Sequence, residues 1–276
     1  MKIRVLTSIG IAIVGIPLLI FSGYIVFPIA LSLLALMASF EMLRVVGLHK
    51  NYFISIPAYL IALALPFGSY IAGNERVIKY ILLMALVFFA YLIYLFTVAV
   101  FKKGSLKFSQ ISEAFASLFY VITSFTALSV IRGMDGGLWI LCLVFVGAWG
   151  CDVFAYLVGS MIGKHKLIPE ISPKKTVEGS IGGIVFASGG FVLFGYIVSV
   201  TAGLNPNYIA LLAAGLISSV VSQIGDLIAS FIKREHGVKD YGRLLPGHGG
   251  IMDRFDSALA VSSVLMAISL IFPLFS

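Results

Sequence analysis

Charged side chains are scarce in this sequence. Only 11% of its 276 residues are charged, whereas an average soluble domain carries about 25%. With 60% apolar residues and a mean hydropathy of +1.08, the chain has too few polar groups to cover a water-soluble core. The same figures exclude disorder, collagen and coiled coils. The composition therefore predicts a polytopic membrane protein.

Cysteine is almost absent. Cys142 and Cys151 are the whole set, nine residues apart in one apolar run, which fits neither a disulfide framework nor a CxxC metal or redox motif. The sequence also contains no GxxxxGK[ST], HExxH or GxGxxG pattern. The net charge of +7 is typical of basic loops that face anionic lipid, so no nucleic-acid partner is predicted.

Long apolar runs dominate what is present. A membrane-spanning helix needs about 20 mostly apolar residues, and nine segments meet that length. The first is interpreted as a retained helix because no small-x-small cleavage site follows it. We therefore predict an all-α fold with about nine transmembrane helices: residues 5–21, 24–40, 52–72, 79–101, 108–131, 137–162, 180–200, 207–232 and 255–275.

Basic residues give these helices an orientation. With nine spans, 16 of the 19 Lys and Arg residues fall on the side of the N-terminus and 3 on the other. Cytoplasmic loops carry the excess of Lys and Arg. The sequence thus predicts a cytoplasmic N-terminus, an external C-terminus and cytoplasmic loops at 163–179 and 233–254.

Acidic residues are concentrated in one part of the chain. Eight of the twelve Asp and Glu residues lie between positions 152 and 256. We predict that residues 1–131 form a membrane scaffold of helices 1–5. Residues 132–276 are predicted to form the catalytic membrane region, with helices 6–9 and the two long cytoplasmic loops.

Four aspartates are predicted to bind a metal ion. Asp152 and Asp226 lie within apolar helices, where a carboxylate is costly and usually faces a cavity or an ion. Asp253 and Asp256 are three residues apart and share one face of the last helix. Carboxylate oxygens are the hard ligands that Mg²⁺ prefers, so Asp152, Asp226, Asp253 and Asp256 are candidate Mg²⁺ ligands.

The loop 233–254 combines cations with a glycine run, which is typical of phosphate binding. The loop 163–179 carries the pair Lys174-Lys175 followed by the hydroxyl of Thr176; alone, it would be interpreted as a basic loop with a helix cap. Asp226, Asp253, Lys233 and Arg234 are the candidate catalytic residues. The candidate substrate-binding residues are Lys174, Lys175, Thr176, Lys239, Asp240, His248, Gly249, Gly250 and Arg254.

The second loop and the following helix start carry a recognisable pattern. Residues 230–234, 239–240, 246–250 and 253–256 together resemble the signature of the phosphatidate cytidylyltransferases, or CDP-diacylglycerol synthases. Asp152 and the segment 172–179 resemble the family's second conserved region, although many bacterial members have Gly-Lys and Trp where Lys174 and Val177 stand here.

The resemblance implies a reaction and its partners. CTP and phosphatidic acid would give CDP-diacylglycerol and pyrophosphate at the cytoplasmic side of the cell's inner membrane, with a divalent metal such as Mg²⁺. The lipid phosphate would attack the α-phosphorus of CTP in line. Positioning and charge neutralisation would then supply the catalysis.

Other functions stay open at this point. A CTP-dependent lipid-alcohol kinase or an archaeal-lipid cytidylyltransferase would show similar motifs. A cation-coupled transporter would also place aspartates in the membrane, but no repeated half is visible. A phosphotransferase that uses CDP-diacylglycerol would carry a DGxxAR motif, which is lacking. The GxxxG pattern at 159–163 allows a homodimer but favours packing within the bundle.

Overall fold

The fold is taken from a computed structural model that describes residues 10, 13–102, 106–244, 247 and 249–276. Within these residues the chain is overwhelmingly helical, and eight helices are long and apolar enough to cross a membrane. The predicted all-α, polytopic membrane architecture is confirmed.

The eight helices match eight of the nine predicted spans closely. Of the first predicted span, 5–21, positions 5–9, 11 and 12 lie outside the described residues, and residues 13–20 are helical. The helices are α1 Val26–Val45, α2 Tyr52–Ala72, α3 Val77–Phe101, α4 Phe108–Gly133, α5 Gly137–Ile162, α6 Val177–Ala202, α7 Tyr208–Glu235 and α8 Met252–Ile271.

The chain packs into two compact units. The first unit comprises Met1–Gly133 and Val238–Arg254, and the second comprises Met134–Gly237 and Phe255–Ser276. Helix α8 therefore begins in the first unit and continues in the second. The predicted division into a scaffold region and a catalytic region assigns roles to residues. The packing of the helices does not test such roles, and the division stays a prediction.

In the first unit, α1, α2 and α4 pack against one another, and α3 contacts α2 and α4. Ala35, Ala38 and Ser39 of α1 are fully buried. Small residues let membrane helices approach closely, and close approach supplies the van der Waals contact that replaces hydrophobic association in lipid. This packing fixes the end of α1 that carries Glu41 and Arg44.

In the second unit, α6 packs against both α5 and α7. A Cβ atom on Gly179 would lie 2.5 Å from the carbonyl oxygen of Ala155, and one on Gly182 would lie 2.6 Å from the Val158 side chain. Gly159 of the GxxxG pattern contacts Gly179 in the same crossing. These glycines therefore pack helices within the unit, as predicted.

A short antiparallel hairpin joins α5 to α6, with β1 at Lys166–Ile168 and β2 at Ser172–Thr176. The sequence predicted only a basic loop and a cap here. The cap is present: the Thr176 hydroxyl accepts a hydrogen bond from Gly179 N at 3.2 Å. Glu178 accepts hydrogen bonds from the backbone N–H groups of Lys164 and His165, and these bonds fasten the hairpin to the start of α6.

Candidate active site

Three of the predicted aspartates lie in the second unit, each on a different helix. Asp152 follows a π-helical turn in α5, Val146–Gly150, and such turns frequently occur at functional sites. Asp226 lies in α7, and Asp256 lies in the second turn of α8. We call Asp152, Asp226 and Asp256 the carboxylate cluster.

The members of the carboxylate cluster influence one another electrostatically. Asp152 and Asp256 both interact with the charge of Asp226. Ser257 contacts two of them, because its hydroxyl donates to Asp152 Oδ2 at 3.4 Å and its backbone N–H donates to Asp256 Oδ1 at 2.8 Å. The structure thus brings together three carboxylates that are up to 104 residues apart in the chain.

Two predicted cations accompany the carboxylate cluster. Lys175, at the end of the hairpin, places its Nζ 2.6 Å from Asp226 Oδ2, and the two side chains are 23% and 27% exposed. Lys233, in the last turn of α7, interacts electrostatically with Asp256. A divalent ion or a phosphate group entering here would therefore meet ligands of both signs.

A cavity of about 330 Å³ opens beside this ion pair. Asp152 and Asp226 line it together with the predicted phosphate-binding residues Lys174, Lys175 and Thr176. Because Lys174 and Lys175 are adjacent on a strand, their side chains leave it on opposite faces; Lys174 is exposed and Lys175 is half-buried. The hairpin therefore brings the first predicted loop to the predicted aspartates.

The cavity lining also includes Gln223, whose hydrogen bonds to Ser180 were not predicted from the sequence. Gln223 Oε1 accepts a hydrogen bond from the Ser180 hydroxyl, and Gln223 Nε2 donates to the Ser180 carbonyl at 3.1 Å. Gln223 is three residues before Asp226, on the same face of α7. An amide inside an apolar span was the available signal. This network fixes the rotation of α7 and hence the position of Asp226.

Asp253, the fourth predicted carboxylate, belongs to the first unit. Its Oδ2 accepts hydrogen bonds from the backbone N–H of Tyr241 at 2.7 Å and of Gly250 at 3.0 Å. The side chain is 7% exposed. Asp253 therefore holds Tyr241 and Gly250 against the first turn of α8.

Glu41 is a second carboxylate that holds backbone N–H groups before and at the start of α8. It lies on a helix that was predicted to belong to the scaffold. It is 4% exposed, and it accepts hydrogen bonds from Ile251 N at 3.1 Å and Met252 N at 2.9 Å. A Cβ on Gly250 would lie 2.2 Å from Glu41 Oε1, and one on Gly242 would lie 2.1 Å away. A larger residue at either position would therefore displace the Glu41 carboxylate from its hydrogen bonds.

Comparison with known proteins gives this architecture a family. Residues 2–272 match the model of the cytidylyltransferase family. The chain belongs to that family. It is 38% identical to a Bacillus subtilis phosphatidate cytidylyltransferase, with 96% of each chain covered. Relatives of the same name from Staphylococcus aureus and Staphylococcus epidermidis are 37% and 36% identical, with 96% of this chain and 97% of theirs covered.

As a cytidylyltransferase, the protein uses CTP, so a place for the triphosphate is required. No three His, Cys, Asp or Glu side chains in the described ranges lie close enough to hold one metal ion by themselves. Mg²⁺ is usually held by only one or two carboxylates, with water and substrate phosphates completing the shell. The carboxylate cluster beside a lysine-lined cavity fits that kind of Mg²⁺ site.

The other predicted residues of this cytidylyltransferase are more dispersed. Arg234 lies in the last turn of α7, in the second unit, and is exposed. Three further residues are exposed in the first unit: Lys239, Asp240 and Arg254. Gly249 has a φ of +84°, a conformation that favours glycine. His248 lies outside the described residues.

Proposed function

We propose that this protein transfers CMP from CTP to phosphatidic acid, giving CDP-diacylglycerol and pyrophosphate. The Lys175–Asp226 pair at the cavity of the second unit carries the proposal. It joins a cation of the first predicted loop to a carboxylate in a membrane-spanning helix, at the edge of a space large enough for phosphate groups. The printed names of the relatives support phosphatidate as the acceptor.

The reaction needs little covalent chemistry from the protein. An oxygen of the lipid phosphate forms a bond to the α-phosphorus of CTP, and the bond from that phosphorus to the bridging oxygen of the β-phosphate breaks. Pyrophosphate leaves with the bonding electrons. The nucleophile is already an anion, so the protein contributes alignment and charge neutralisation.

Cations of both predicted loops serve the phosphates in this proposal. Lys174, Lys175 and Thr176 line the cavity and would contact the triphosphate. Lys175 would then link a phosphate oxygen to Asp226. Lys233 and Arg234 are proposed to neutralise charge during transfer. Further phosphate contacts are assigned to Lys239, Asp240, His248, Gly249, Gly250 and Arg254.

Mg²⁺ is the proposed cofactor. One or two carboxylates of the set Asp152, Asp226 and Asp256 would hold it together with substrate phosphates, and Asp253 is retained as a fourth candidate ligand. When bound, Mg²⁺ would offset the negative charge of the triphosphate. Without a cation, several carboxylates in a site of low dielectric would repel one another. Lys175 and Lys233 offset part of that repulsion in the described structure.

The eight apolar helices make this a multi-pass membrane protein. We propose the inner cell membrane as its location, with the reaction at the cytoplasmic face. The support is the distribution of Lys and Arg, because 16 of 19 fall on one side of the predicted topology. A site at that face would meet soluble CTP and membrane-bound phosphatidate together.

The test uses CTP labelled at either the α- or the γ-phosphate, with the purified full-length protein and phosphatidate in mixed micelles. The proposal expects the α-label in a lipid-soluble product and the γ-label in pyrophosphate. A lipid-alcohol kinase would instead move the γ-label into a lipid alcohol, and a transporter would move neither label. Either of those results would overturn the proposal.

A further inference from the structure

A second cavity lies in the first unit, where α1, α2 and the loop at 242–244 meet. Its volume is about 490 Å³. We infer that this α1–α2 groove, lined by Leu36, Met37, Phe40, Arg44, Tyr59 and Arg243, is the binding site for the phosphatidate substrate. The inference rests on the proposed function, and it separates the lipid subsite from the lysine-lined cavity of the second unit.

One wall of the α1–α2 groove is apolar. Leu36 and Met37 both lie on the side of α1 that carries Phe40, since residues three and four positions apart are neighbours on a helix. Met37 and Phe40 are 42% and 43% exposed, within a helix that is apolar enough to span a membrane. This wall suits an acyl chain, and it offers nothing to the polar base and ribose of CTP.

The other end of the groove is cationic. Arg44 donates a hydrogen bond to the Tyr241 carbonyl, which anchors its guanidinium. Arg243 is exposed, and no ion pair of the described residues includes it. The one carboxylate in the lining, Glu41, accepts hydrogen bonds from the N–H groups of Ile251 and Met252 and also interacts electrostatically with Arg44. Two cations and one anion therefore leave this end of the groove with a net positive charge.

These charges match a phosphomonoester. Such a group carries about −1.5 to −2 charges near pH 7, and guanidinium groups bind phosphate through paired hydrogen bonds. A bilayer phosphodiester carries a single negative charge. Two arginines at one end of an apolar groove therefore favour phosphatidate over other membrane phospholipids.

The Tyr59 hydroxyl supplies a third feature. Its oxygen is buried and has no hydrogen-bond partner among the described residues, although the ring packs against Phe40. A buried hydroxyl without a partner is unfavourable, so a ligand that satisfies it is favoured. In phosphatidate, the glycerol ester oxygens lie between the phosphate and the acyl chains. Tyr59 lines the same groove as the arginines and the apolar side chains, so its hydroxyl suits a hydrogen bond to an ester oxygen.

Two variants test the groove by kinetics. Arg243→Gln removes a cation, and the KM for phosphatidate, expressed as a mole fraction in mixed micelles, should rise about tenfold, the range expected for a hydrogen bond to a charged group. Tyr59→Phe removes only the hydroxyl and should raise it about fivefold. The KM for CTP should stay unchanged in both. Equal changes in the two KM values, or no change in either, would overturn the inference.

The matched control is Lys50→Gln. Lys50 is an exposed basic residue in the connection between α1 and α2, outside the groove lining. Like Arg243→Gln, the Lys50→Gln variant removes one positive charge near the C-terminal end of α1. Because this charge lies outside the groove, the KM of the variant for phosphatidate should equal that of the wild type. A rise as large as that of Arg243→Gln would mean that a general surface charge acts on the lipid, and the groove would be rejected.

A binding measurement does not depend on turnover. Native mass spectrometry of the full-length protein, without CTP, should show phosphatidate retained in preference to phosphatidylglycerol and phosphatidylcholine of the same chains. The Arg243→Gln, Tyr59→Phe double variant should lose that preference. Equal retention of the three lipids by the wild type would mean that the groove contacts bilayer lipids without selecting phosphatidate, and it would overturn the inference. Selective retention without CMP transfer would instead uphold the groove and reject the proposed function.

Discussion

At the scale of single residues, the carboxylate cluster stands out because its members lie in membrane-spanning helices. A charged carboxylate within such a helix is unfavourable in free energy unless it binds a cation or a hydrogen-bond partner. Asp226 has a lysine partner at 2.6 Å, and Asp152 and Asp256 contact Ser257. The proposed function would therefore let a substrate-bound metal ion take the place of the lysine beside Asp226.

The first prediction concerns these carboxylates. Asp226→Asn keeps the side-chain volume but removes the charge, so CMP transfer should fall by about 100-fold, in line with the loss of several kcal/mol of charge stabilisation in a metal site. The Mg²⁺ concentration for half-maximal rate should rise as well. Asp152→Asn is expected to be rescued partly by excess Mg²⁺, and Asp253→Asn least. The measurement is transfer rate against Mg²⁺ concentration for each variant.

The control for this series is Asp135→Asn, which changes an acidic residue at the far end of α5 from Asp152 and should keep the wild-type rate and Mg²⁺ dependence. If Asp226→Asn and Asp253→Asn also keep them, the aspartates are structural and the metal-assisted mechanism is wrong.

The second prediction concerns Glu41. Glu41→Gln leaves at most one carbonyl oxygen for the two N–H groups of Ile251 and Met252, and it turns an amide donor toward them. Losing one buried hydrogen bond of this kind costs about 1–3 kcal/mol, so the melting temperature in detergent should drop and the loop 241–250 should be cleaved faster by protease. Glu75→Gln, at an exposed position, should change neither. A normal melting temperature and cleavage rate for Glu41→Gln would contradict the loop-organising role.

At the scale of secondary-structure elements, the crossing of α5 and α6 sets the position of the cavity. Gly179 approaches the backbone of α5, where the Ala155 carbonyl lies 2.5 Å from the place of a Cβ. A backbone atom cannot rotate away as a side chain can. The helices would therefore have to separate to admit even a methyl group, and the hairpin would move with them.

Gly179→Ala is consequently expected to destabilise the protein by about 1–3 kcal/mol, the usual range for overpacking. Gly189→Ala, on the same helix, would place its Cβ in open space. It should raise stability slightly, because alanine favours helix by about 1 kcal/mol relative to glycine. Thermal unfolding of both variants in detergent measures the difference. Equal melting temperatures would show that the crossing is looser than described.

At the scale of the whole molecule, orientation in the membrane is a prediction from charge alone. The hairpin loop at Glu170 and the loop at Lys239 should face the cytoplasm, and Glu75 should face outside. Single cysteines at these three exposed positions, in a background without Cys142 and Cys151, can be labelled with an impermeant maleimide. Cells should label only at position 75, and inverted vesicles only at 170 and 239.

Labelling of positions 170 and 239 from the outside would invert the topology and move the proposed reaction to the other face. The background without the native cysteines provides the control, since it should be labelled from neither face.

The sequence by itself determined the spans, because the length of an apolar run and the residues that break it are local properties. Eight observed helices therefore follow the predicted segments to within a few residues. The chemistry of the site was also readable as residue types: aspartates inside apolar helices and cations beside glycines. Its functional interpretation came from the spacing of the 230–256 pattern, which the family match supports.

Only the tertiary structure decided which of these residues meet. Lys175 reaches Asp226 because a hairpin, absent from any helical pattern, packs against α5 and α6 and holds the lysine within 2.6 Å of the carboxylate. Glu41 binds backbone groups 210 residues away, and the N–H of Gly250 binds the protein's own Asp253. Such partners are chosen by how helices pack, since a buried charge or N–H takes whichever partner the fold places within hydrogen-bonding distance.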